Sequence, residues 1–240
     1  MPIPVMKIPW DAKGIFRSRP NRFLGSMDIT SPKKKMAVKV HIHDPGRLKE
    51  LLYPGNRVIL RKAEGTGRKT EWDLIAAYYG GNWILAHSGY HREIAEWIIK
   101  NQEVSPFGKL NSIRPEARFG SSRLDFLLVN KNGKKIWVEV KGCTLVKDGV
   151  ALFPDAPTKR GSRHIRHLIE AKTGGDRAAI IILVFRQDAE CFAPNAETDP
   201  DFSNTFYSAL DAGVEVHPFK LLHEDEFVKY VEKIPVCDAL

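Results

Sequence analysis

The sequence contains no run of about twenty apolar residues, and this absence argues against a membrane-spanning helix. The opening residues, MPIPVMKIPWDAKG, include no apolar core long enough for a signal peptide. Only three cysteines are present, Cys143, Cys191 and Cys237, far apart and in no CxxC spacing. They indicate neither a disulfide framework nor a zinc site, and Cys143 is interpreted as a small buried residue. We therefore expect a cytoplasmic protein.

The chain also lacks an internal repeat, a helix-turn-helix pattern and a dedicated carbohydrate site. Positive charge, by contrast, is in excess: 37 Lys and Arg stand against 29 Asp and Glu, a formal net charge of +8 with a pI near 9.3. Such an excess favours a polyanionic partner. With 240 residues the chain is long enough for one large domain or two small ones.

Residues 1–86 are predicted to form a small β-barrel. About five short strands are expected, at 16–24, 37–43, 57–62, 71–79 and 83–86. Five short strands with one short helical turn are typical of an oligonucleotide-binding (OB) barrel, whose exposed strand face binds nucleic acid. His41 and His43 share one strand face, but no third ligand is near in sequence, so a solvated face is expected rather than a metal site.

Residues 87–240 change to an α/β pattern. The predicted order is helix, three strands, helix, strand, helix, strand, with a last helix at 225–233. Ser162 is the predicted N-cap of the second helix, which ends at Gly174-Gly175. The fold class is therefore α/β (α+β), a barrel followed by a mixed sheet flanked by helices.

The central feature of the second domain is the hairpin SRLDFLLVNKNGKKIWVEVKG, residues 122–142. Two registers are possible. A two-residue Asn132-Gly133 turn places Asp125 opposite Val140, whereas a three-residue loop places Asp125 opposite Glu139. The longer loop gives Gly133 the left-handed position that suits glycine, and only this register brings the two carboxylates together.

Two carboxylates about 5 Å apart repel by roughly 3 kcal/mol at an effective dielectric near 20. A divalent cation such as Mg²⁺ or Mn²⁺, bound by Asp125 and Glu139, would offset this repulsion. Lys141 lies on the same strand face and could orient a water or neutralise a phosphate. This Asp…Glu-x-Lys pattern is similar to that of the PD-(D/E)xK nucleases, and the helix and strand order after residue 87 is also similar to theirs.

A second dense segment, FPDAPTKRGSRHIRHLIE, covers residues 153–170. Basic side chains beside the start of a helix are suited to binding a nucleic-acid phosphate, although a capped basic helix has the same pattern. The candidate nucleic-acid contacts are Lys159, Arg160, Arg163 and His164, and Asp155 and Thr158 are supporting candidates.

The segments FGSSRLDFLL, WVEVKGCTLV and FPDAPTKRGSRHIRHL, in this order and spacing, closely resemble the sugar fermentation stimulation protein A family. The resemblance extends through DPDFSNTFYSALDAGVEV and, in the first domain, HDPGRLKELLYPG. It implies an OB barrel, a PD-(D/E)xK nuclease-like domain, DNA binding and a role in sugar (maltose) utilisation. It also implies that the metal-site residues are Asp125, Glu139 and Lys141.

The segment HSGYHREIAEW departs from the Asn-rich pattern expected before the first helix of that domain. Since this helix often supplies a further acid in the superfamily, Glu93, Glu96 and Glu116 are candidate additional ligands. Arg22, in the basic and aromatic segment RSRPNRF, and Arg123 are predicted nucleic-acid contacts.

Three functions follow from these patterns. The first is a DNA-binding protein with a Mg²⁺-dependent phosphodiesterase site. The second is a DNA-binding transcriptional regulator of sugar metabolism that does not cleave, and the third and weakest is a sugar-metabolising enzyme. The sequence leaves open whether the DNA is single- or double-stranded and whether the protein is a homodimer.

Overall fold

The computed structural model describes residues 1–65 and 67–237 and divides the chain into two compact units. The first unit comprises Met1–Tyr90 together with the segments Phe185–Gln187 and Leu221–Val231. The second comprises His91–Val184, Asp188–Lys220 and the chain from residue 232. Residues 238–240 of the predicted second domain lie outside the described residues.

Strands dominate the first unit. They are β1 (Ile3–Lys7), β2 (Ala12–Asn21), β3 (Leu24–Ser31), β4 (Lys35–His41), β5 (Arg57–Lys62), β6 (Trp72–Tyr79) and β7 (Asn82–Leu85), followed by a short 3₁₀ helix at Ser88–Tyr90. Strands β2 to β6 pair in the spatial order β4, β3, β2, β5, β6, all antiparallel. A parallel pairing of Val40 with Trp72 joins β4 to β6 and closes a five-stranded barrel.

Among its described residues, the second unit contains three α-helices. Its elements are α1 (His91–Lys100), β8 (Leu110–Phe119), β9 (Ser122–Asn130), β10 (Lys135–Cys143), β11 (Val146–Lys147), β12 (Val150–Phe153), α2 (Lys159–Thr173), β13 (Arg177–Val184), β14 (Cys191–Pro194), α3 (Pro200–Asp211), β15 (Glu215–Glu224) and β16 (Phe227–Lys233). The residues of β15 and β16 divide between the two units within each strand, at Lys220/Leu221 and Val231/Glu232.

The sheet of the second unit has the order β8, β9, β10, β13, β15. Strands β8, β9 and β10 are antiparallel, whereas β13 is parallel to both of its neighbours, so the sheet is mixed. Helix α2 packs on β9, β10 and β13, while α1 packs on β10 and β13. The barrel and this helix-flanked mixed sheet confirm the predicted fold class.

Helix α2 packs on one face of this sheet through a continuous apolar core. Ile165 and Leu168 of the helix contact a buried cluster that includes Trp137 of β10 and Ile180 of β13. Strand side chains alternate between faces, so Glu139 and Lys141 lie on the same face of β10 as Trp137, the face that α2 covers.

Two predicted elements are wrong. Residues 225–233 form a strand, not a helix: β16 pairs antiparallel with β1, with Ile3 opposite Tyr230. A short apolar pattern fits either state, and pairing with both β1 and β15 decides it. The predicted strand at 16–24 is instead a hairpin, because β2 ends at Asn21 and β3 begins at Leu24.

The cysteine prediction is also wrong in part. Cys191 and Cys237, 46 residues apart in sequence, form a disulfide. Backbone pairing brings them together: the Phe192 amide donates to Pro235 O at 2.9 Å, and the Cys237 amide donates to Phe192 O at 2.8 Å. Cys143 is buried, as predicted, and takes no part in this disulfide.

Among the three α-helices of residues 1–65 and 67–237, none is long and apolar enough to cross a membrane.

Candidate active site

The hairpin of β9 and β10 has the register that brings Asp125 and Glu139 together. Val138 lies opposite Phe126 and Lys135 opposite Val129, which continues to Asp125 opposite Glu139. The three-residue loop is fixed by Asn130, whose Oδ1 accepts hydrogen bonds from the amides of Asn132 and Lys134 at 3.0 and 2.9 Å. Gly133 has a φ of 74°. The three-residue loop predicted from sequence is therefore confirmed.

Glu139 is the buried anion of this site, with only 2% of its surface exposed. Its Oε1 accepts hydrogen bonds from the Lys141 ammonium and from Nδ1 of His164, the latter at 2.6 Å. Burial alone would raise the pKa of Glu139, but the Lys141 charge and the His164 hydrogen bond outweigh it and hold the pKa below its ordinary value. Glu139 is therefore a carboxylate at neutral pH.

The second oxygen of Glu139, Oε2, is buried and has no hydrogen-bond partner in the described part of the chain. A buried carboxylate oxygen without a partner is energetically unfavourable. A cation bound here would remove that penalty, and hard carboxylate oxygens are the ligands that Mg²⁺, Mn²⁺ and Ca²⁺ prefer.

Asp125 lies beside Glu139, and its pKa is shifted in the opposite direction. Its Oδ2 accepts a hydrogen bond from the Val140 amide at 2.7 Å. Burial, and then the negative charge of Glu139, raise the pKa of Asp125 from its ordinary 3.8 to about 6. Without a cation, this carboxylate is thus held in an environment that disfavours its charged form.

Asp125 and Glu139 therefore fit a divalent cation. No cluster of three or more His, Cys, Asp or Glu side chains suited to metal binding occurs in residues 1–65 and 67–237. Two carboxylates from protein, with the remaining positions left to water, backbone oxygen or phosphate, is an arrangement that suits Mg²⁺, which gives up its waters reluctantly.

His164 supports Glu139 from helix α2. The guanidinium of Arg160 can only donate, so the 3.4 Å contact of its Nε with His164 Nε2 makes that ring nitrogen the acceptor. The proton is therefore on Nδ1 and is donated to Glu139. The sequence placed His164 among nucleic-acid contacts, whereas the structure buries its side chain against Glu139; the two residues are 25 positions apart, and no local pattern marks the contact.

Thr158, not Ser162, is the N-cap of α2. The Thr158 hydroxyl accepts from the Gly161 amide at 3.0 Å, and the Thr158 amide donates to Asp199 Oδ2 at 2.7 Å. Ser162 lies inside the first turn and is fully buried, so its predicted role as the N-cap is wrong. The predicted end of the helix is confirmed, since Gly174 is its C-cap.

The other predicted contacts occupy the surface around this site and the barrel. Lys159, Arg160 and Arg163 are exposed on α2, Asp155 is half-buried in the turn before it, and Arg22 of the first unit is exposed with its guanidinium 5.9 Å from the centre of the Phe23 ring.

Two of the three candidate additional acids, Glu116 and Glu96, already have basic partners. Glu116, at a φ of 49°, lies 3.6 Å from Arg92 and 3.7 Å from Arg123 through its carboxylate oxygens. Glu96 binds Lys100 at 2.5 Å one turn along α1. Glu93 is exposed on the same helix.

Gly142, the residue after Lys141, lets His91 of α1 pack directly on β10. A Cβ at this position would lie 2.1 Å from His91 Cε1. Burial, and then the Lys141 charge, lower the pKa of His91 to about 4, so its ring is neutral at pH 7.

Gly142→Ala is therefore expected to destabilise the protein by about 1–3 kcal/mol, since a methyl group would be forced into a filled space. Chemical denaturation measures this effect. In the double variant with His91→Ala, the added methyl has room, so the two effects should differ from additivity by more than about 1 kcal/mol. Additive effects would contradict the close contact.

Comparison with known proteins agrees with this architecture. The family model described as "Sugar fermentation stimulation protein RE domain" matches residues 89–227, and the model "SfsA N-terminal OB domain" matches residues 18–86.

Individual relatives match along almost the whole chain. A sugar fermentation stimulation protein homolog of Methanococcoides burtonii is 51% identical over 235 residues, which cover 97% of this chain and 95% of that protein. The homolog of Thermotoga neapolitana is 43% identical over 235 residues, covering 98% and 99%. The solved structure of Pyrococcus furiosus SfsA in complex with Ca²⁺ has a TM-score of 0.88 at 28% identity and covers 98% of this chain and 100% of that one. The chain belongs to the sugar fermentation stimulation protein family.

Proposed function

We propose that this protein binds DNA and hydrolyses its phosphodiester bonds with a divalent cation, Mg²⁺ or Mn²⁺, held by Asp125 and Glu139. The observation that carries the proposal is the buried Oε2 of Glu139, which has no hydrogen-bond partner in the described residues. It lies beside Asp125, whose pKa is raised to about 6 by burial and then by the negative charge of Glu139. The Ca²⁺ complex of the Pyrococcus furiosus relative supports a divalent cation.

A bound Mg²⁺ supplies charge stabilisation at the scissile phosphate and lowers the pKa of a coordinated water. The protein's own part is positional. Lys141 holds Glu139 and places an ammonium on the same strand face, where it can neutralise a phosphate oxygen. His164 fixes the orientation of Glu139 through its Nδ1–H, and it does not itself meet the substrate in this proposal.

Exposed basic side chains would hold the DNA backbone. Lys159, Arg160 and Arg163 lie on α2, the helix that also carries His164. Phosphate contacts of this kind give affinity without sequence preference. Arg123 and, on the barrel, Arg22 would add to them, in line with an OB-type domain at residues 1–86 and a nuclease-like domain at 87–240. We place the protein in the cytoplasm, and its assembly as a homodimer is part of the same hypothesis.

A DNA-binding regulator of sugar metabolism that does not cleave is the alternative. Two observations favour it: Glu139 already forms an ion pair with Lys141 within the protein, and no third acidic ligand accompanies Glu139 and Asp125 among the described residues. In that case the site would be structural and DNA binding would not depend on a metal.

A cleavage assay separates the two. The protein is incubated with single- and double-stranded DNA in Mg²⁺, in Mn²⁺ and in excess chelator. We expect cleavage that chelator abolishes and that added Mg²⁺ restores. Metal-independent binding, without cleavage of any substrate, would establish the regulator instead, and binding that does not weaken with salt would contradict both functions, since phosphate contacts release counterions.

A further inference from the structure

Five rings form a continuous line on the first unit. Phe23, His41, His43, His87 and Tyr90 follow one another with ring centroids 6.3, 4.3, 3.8 and 4.4 Å apart. Burial, and then His43, hold the pKa of His41 below its ordinary value. The sequence pattern predicts a solvated face at His41 and His43, but both side chains are half-buried and lie against other rings.

One end of this line borders a cleft of about 200 Å³. Its walls include His87 and the partly exposed Tyr90, with Ile75 as an apolar surface. Sites for drug-sized ligands have volumes of roughly 300–1,000 Å³, so this cleft takes one small group. A flat aromatic group against Tyr90 suits both its size and its lining.

Three basic side chains line the same cleft. They are Arg61, Lys62 and Arg68, and they face two carboxylates, Glu64 and Asp73. Arg68 binds Asp73, which also lies 3.0 Å from His43 Nε2, so that carboxylate is committed to the protein.

Arg61 is held differently. One nitrogen donates to the Tyr90 hydroxyl at 3.2 Å and the other binds Glu64. The Glu64 side chain is 79% exposed, and an exposed ion pair of this kind is weak. An incoming anion can therefore replace Glu64 while Tyr90 continues to position the guanidinium. Lys62 forms no ion pair within the described residues and adds a second cation.

We propose that this cleft binds one nucleotide, with the base stacked on Tyr90 and the phosphate bound by Arg61 and Lys62. The nucleotide can be a free nucleoside phosphate or a unit of a single strand, and both present the same base and phosphate. A metal site does not explain the histidines, because their rings stack on one another and no three potential ligands converge in the described residues. This proposal rests on the proposed function only where it names a nucleic-acid strand as one source of the bound nucleotide.

Binding is measured by calorimetry in excess chelator, so that cleavage cannot contribute. The probes are thymidine 5′-monophosphate, deoxyribose 5-phosphate, inorganic phosphate and a ten-nucleotide oligothymidylate. We expect a probe with a base to bind at least about tenfold more tightly than deoxyribose 5-phosphate, as stacking on an aromatic side chain commonly provides. Binding of the oligonucleotide alone would identify a strand as the source, and binding of both would identify a site open to free nucleotides.

Substitutions test each contact. Tyr90→Ala should weaken binding about tenfold to a hundredfold, whereas Tyr90→Phe keeps the ring and should lose at most a few-fold. Glu64→Gln should strengthen binding several-fold, because it removes the carboxylate that competes for Arg61. Tyr53→Ala and Arg47→Ala, exposed residues of the same unit outside the cleft lining, serve as matched controls with unchanged affinity.

Three results would overturn the proposal: equal affinity for the probes with and without a base, unchanged binding in a folded Tyr90→Ala variant, or no binding of any probe. Glu64→Gln guards against misfolding, since a gain in affinity cannot arise from a damaged protein. The two proposals can fail separately. If no nucleotide binds in chelator, the nuclease proposal still stands, and a protein without cleavage activity can still bind a nucleotide in this cleft.

Discussion

Asp125→Asn should slow metal-dependent cleavage by about 10²–10³-fold while making the metal-free protein more stable. The amide oxygen of asparagine can still accept the hydrogen bond from the Val140 amide, so the local backbone is preserved. The negative charge that a cation requires is lost, and removal of one electrostatic contact of this kind commonly lowers the rate by about 10²–10³-fold. Initial cleavage rates in Mg²⁺ measure this loss.

The gain in stability follows from the raised pKa. Between about pH 4 and pH 6, the folded protein retains a proton on Asp125 that the unfolded chain has released. The free energy of unfolding therefore falls as pH rises through this interval, and the full penalty is present above pH 6. Two pKa units correspond to roughly 3 kcal/mol as an upper bound, so we expect the variant to be about 1–3 kcal/mol more stable than the native protein at pH 7 and equally stable below pH 4.

Denaturation in chelator at several pH values measures this difference. Asp148→Asn is the matched control: it is exposed, and its φ of 50° is one that asparagine tolerates. It should change neither activity nor stability by a measurable amount. If Asp125→Asn cleaved DNA within tenfold of the native rate, Asp125 would not be a metal ligand. A less stable variant at pH 7 would show that burial and Glu139 do not disfavour the charged form of Asp125.

The sequence was sufficient for this part of the site because the hairpin is local. Asn130, Asn132 and Gly133 determine the loop, the loop determines the register, and the register brings Asp125 to Glu139. The alternation of strand side chains then places Lys141 on the same face. Each step spans only a few residues, so each can be recognised without a tertiary structure.

The environment of Glu139 could not be predicted in the same way. His164 reaches Glu139 because α2 packs its apolar stripe on the sheet, and the depth of that packing decides which side chain meets the carboxylate. The misplaced N-cap has a related cause, since serine and threonine are both good caps and Asp199, 41 residues from Thr158, helps to select the latter. Long-range packing therefore determined what the local pattern left ambiguous.

The C-terminal region depends on long-range pairing most strongly. Strand β16 pairs with β1, near the start of the chain, as well as with β15, and Cys237 meets Cys191 through the backbone pairing at Phe192. Counting three widely separated cysteines gives no indication of such a contact, because a disulfide requires proximity in space and not in sequence.

Removal of this disulfide should destabilise the protein by about 4 kcal/mol, the value that the loop-entropy relation gives for a closed loop of this length. The loop contains α3 and β15, so the bond restricts a large part of the unfolded second unit. We expect the Cys191→Ala, Cys237→Ala double variant to unfold at a markedly lower urea concentration than the oxidised native protein. Reductant should bring the native protein close to the double variant and should leave the double variant itself unchanged.

A thiol titration in denaturant tests the bond itself. The oxidised protein should present one reactive thiol, that of Cys143, and three after reduction. Three thiols before reduction would contradict the disulfide in the purified protein. The titration should be performed on protein purified without reductant. Reducing cytoplasms keep most thiols free. An intact bond in freshly lysed cells would therefore count against the expected cytoplasmic location, unless that cytoplasm tolerates structural disulfides. The stability difference and the thiol count are independent measurements. If the double variant is destabilised but the native protein presents three thiols before reduction, the effect comes from lost packing at Cys191 and Cys237 and not from a covalent link.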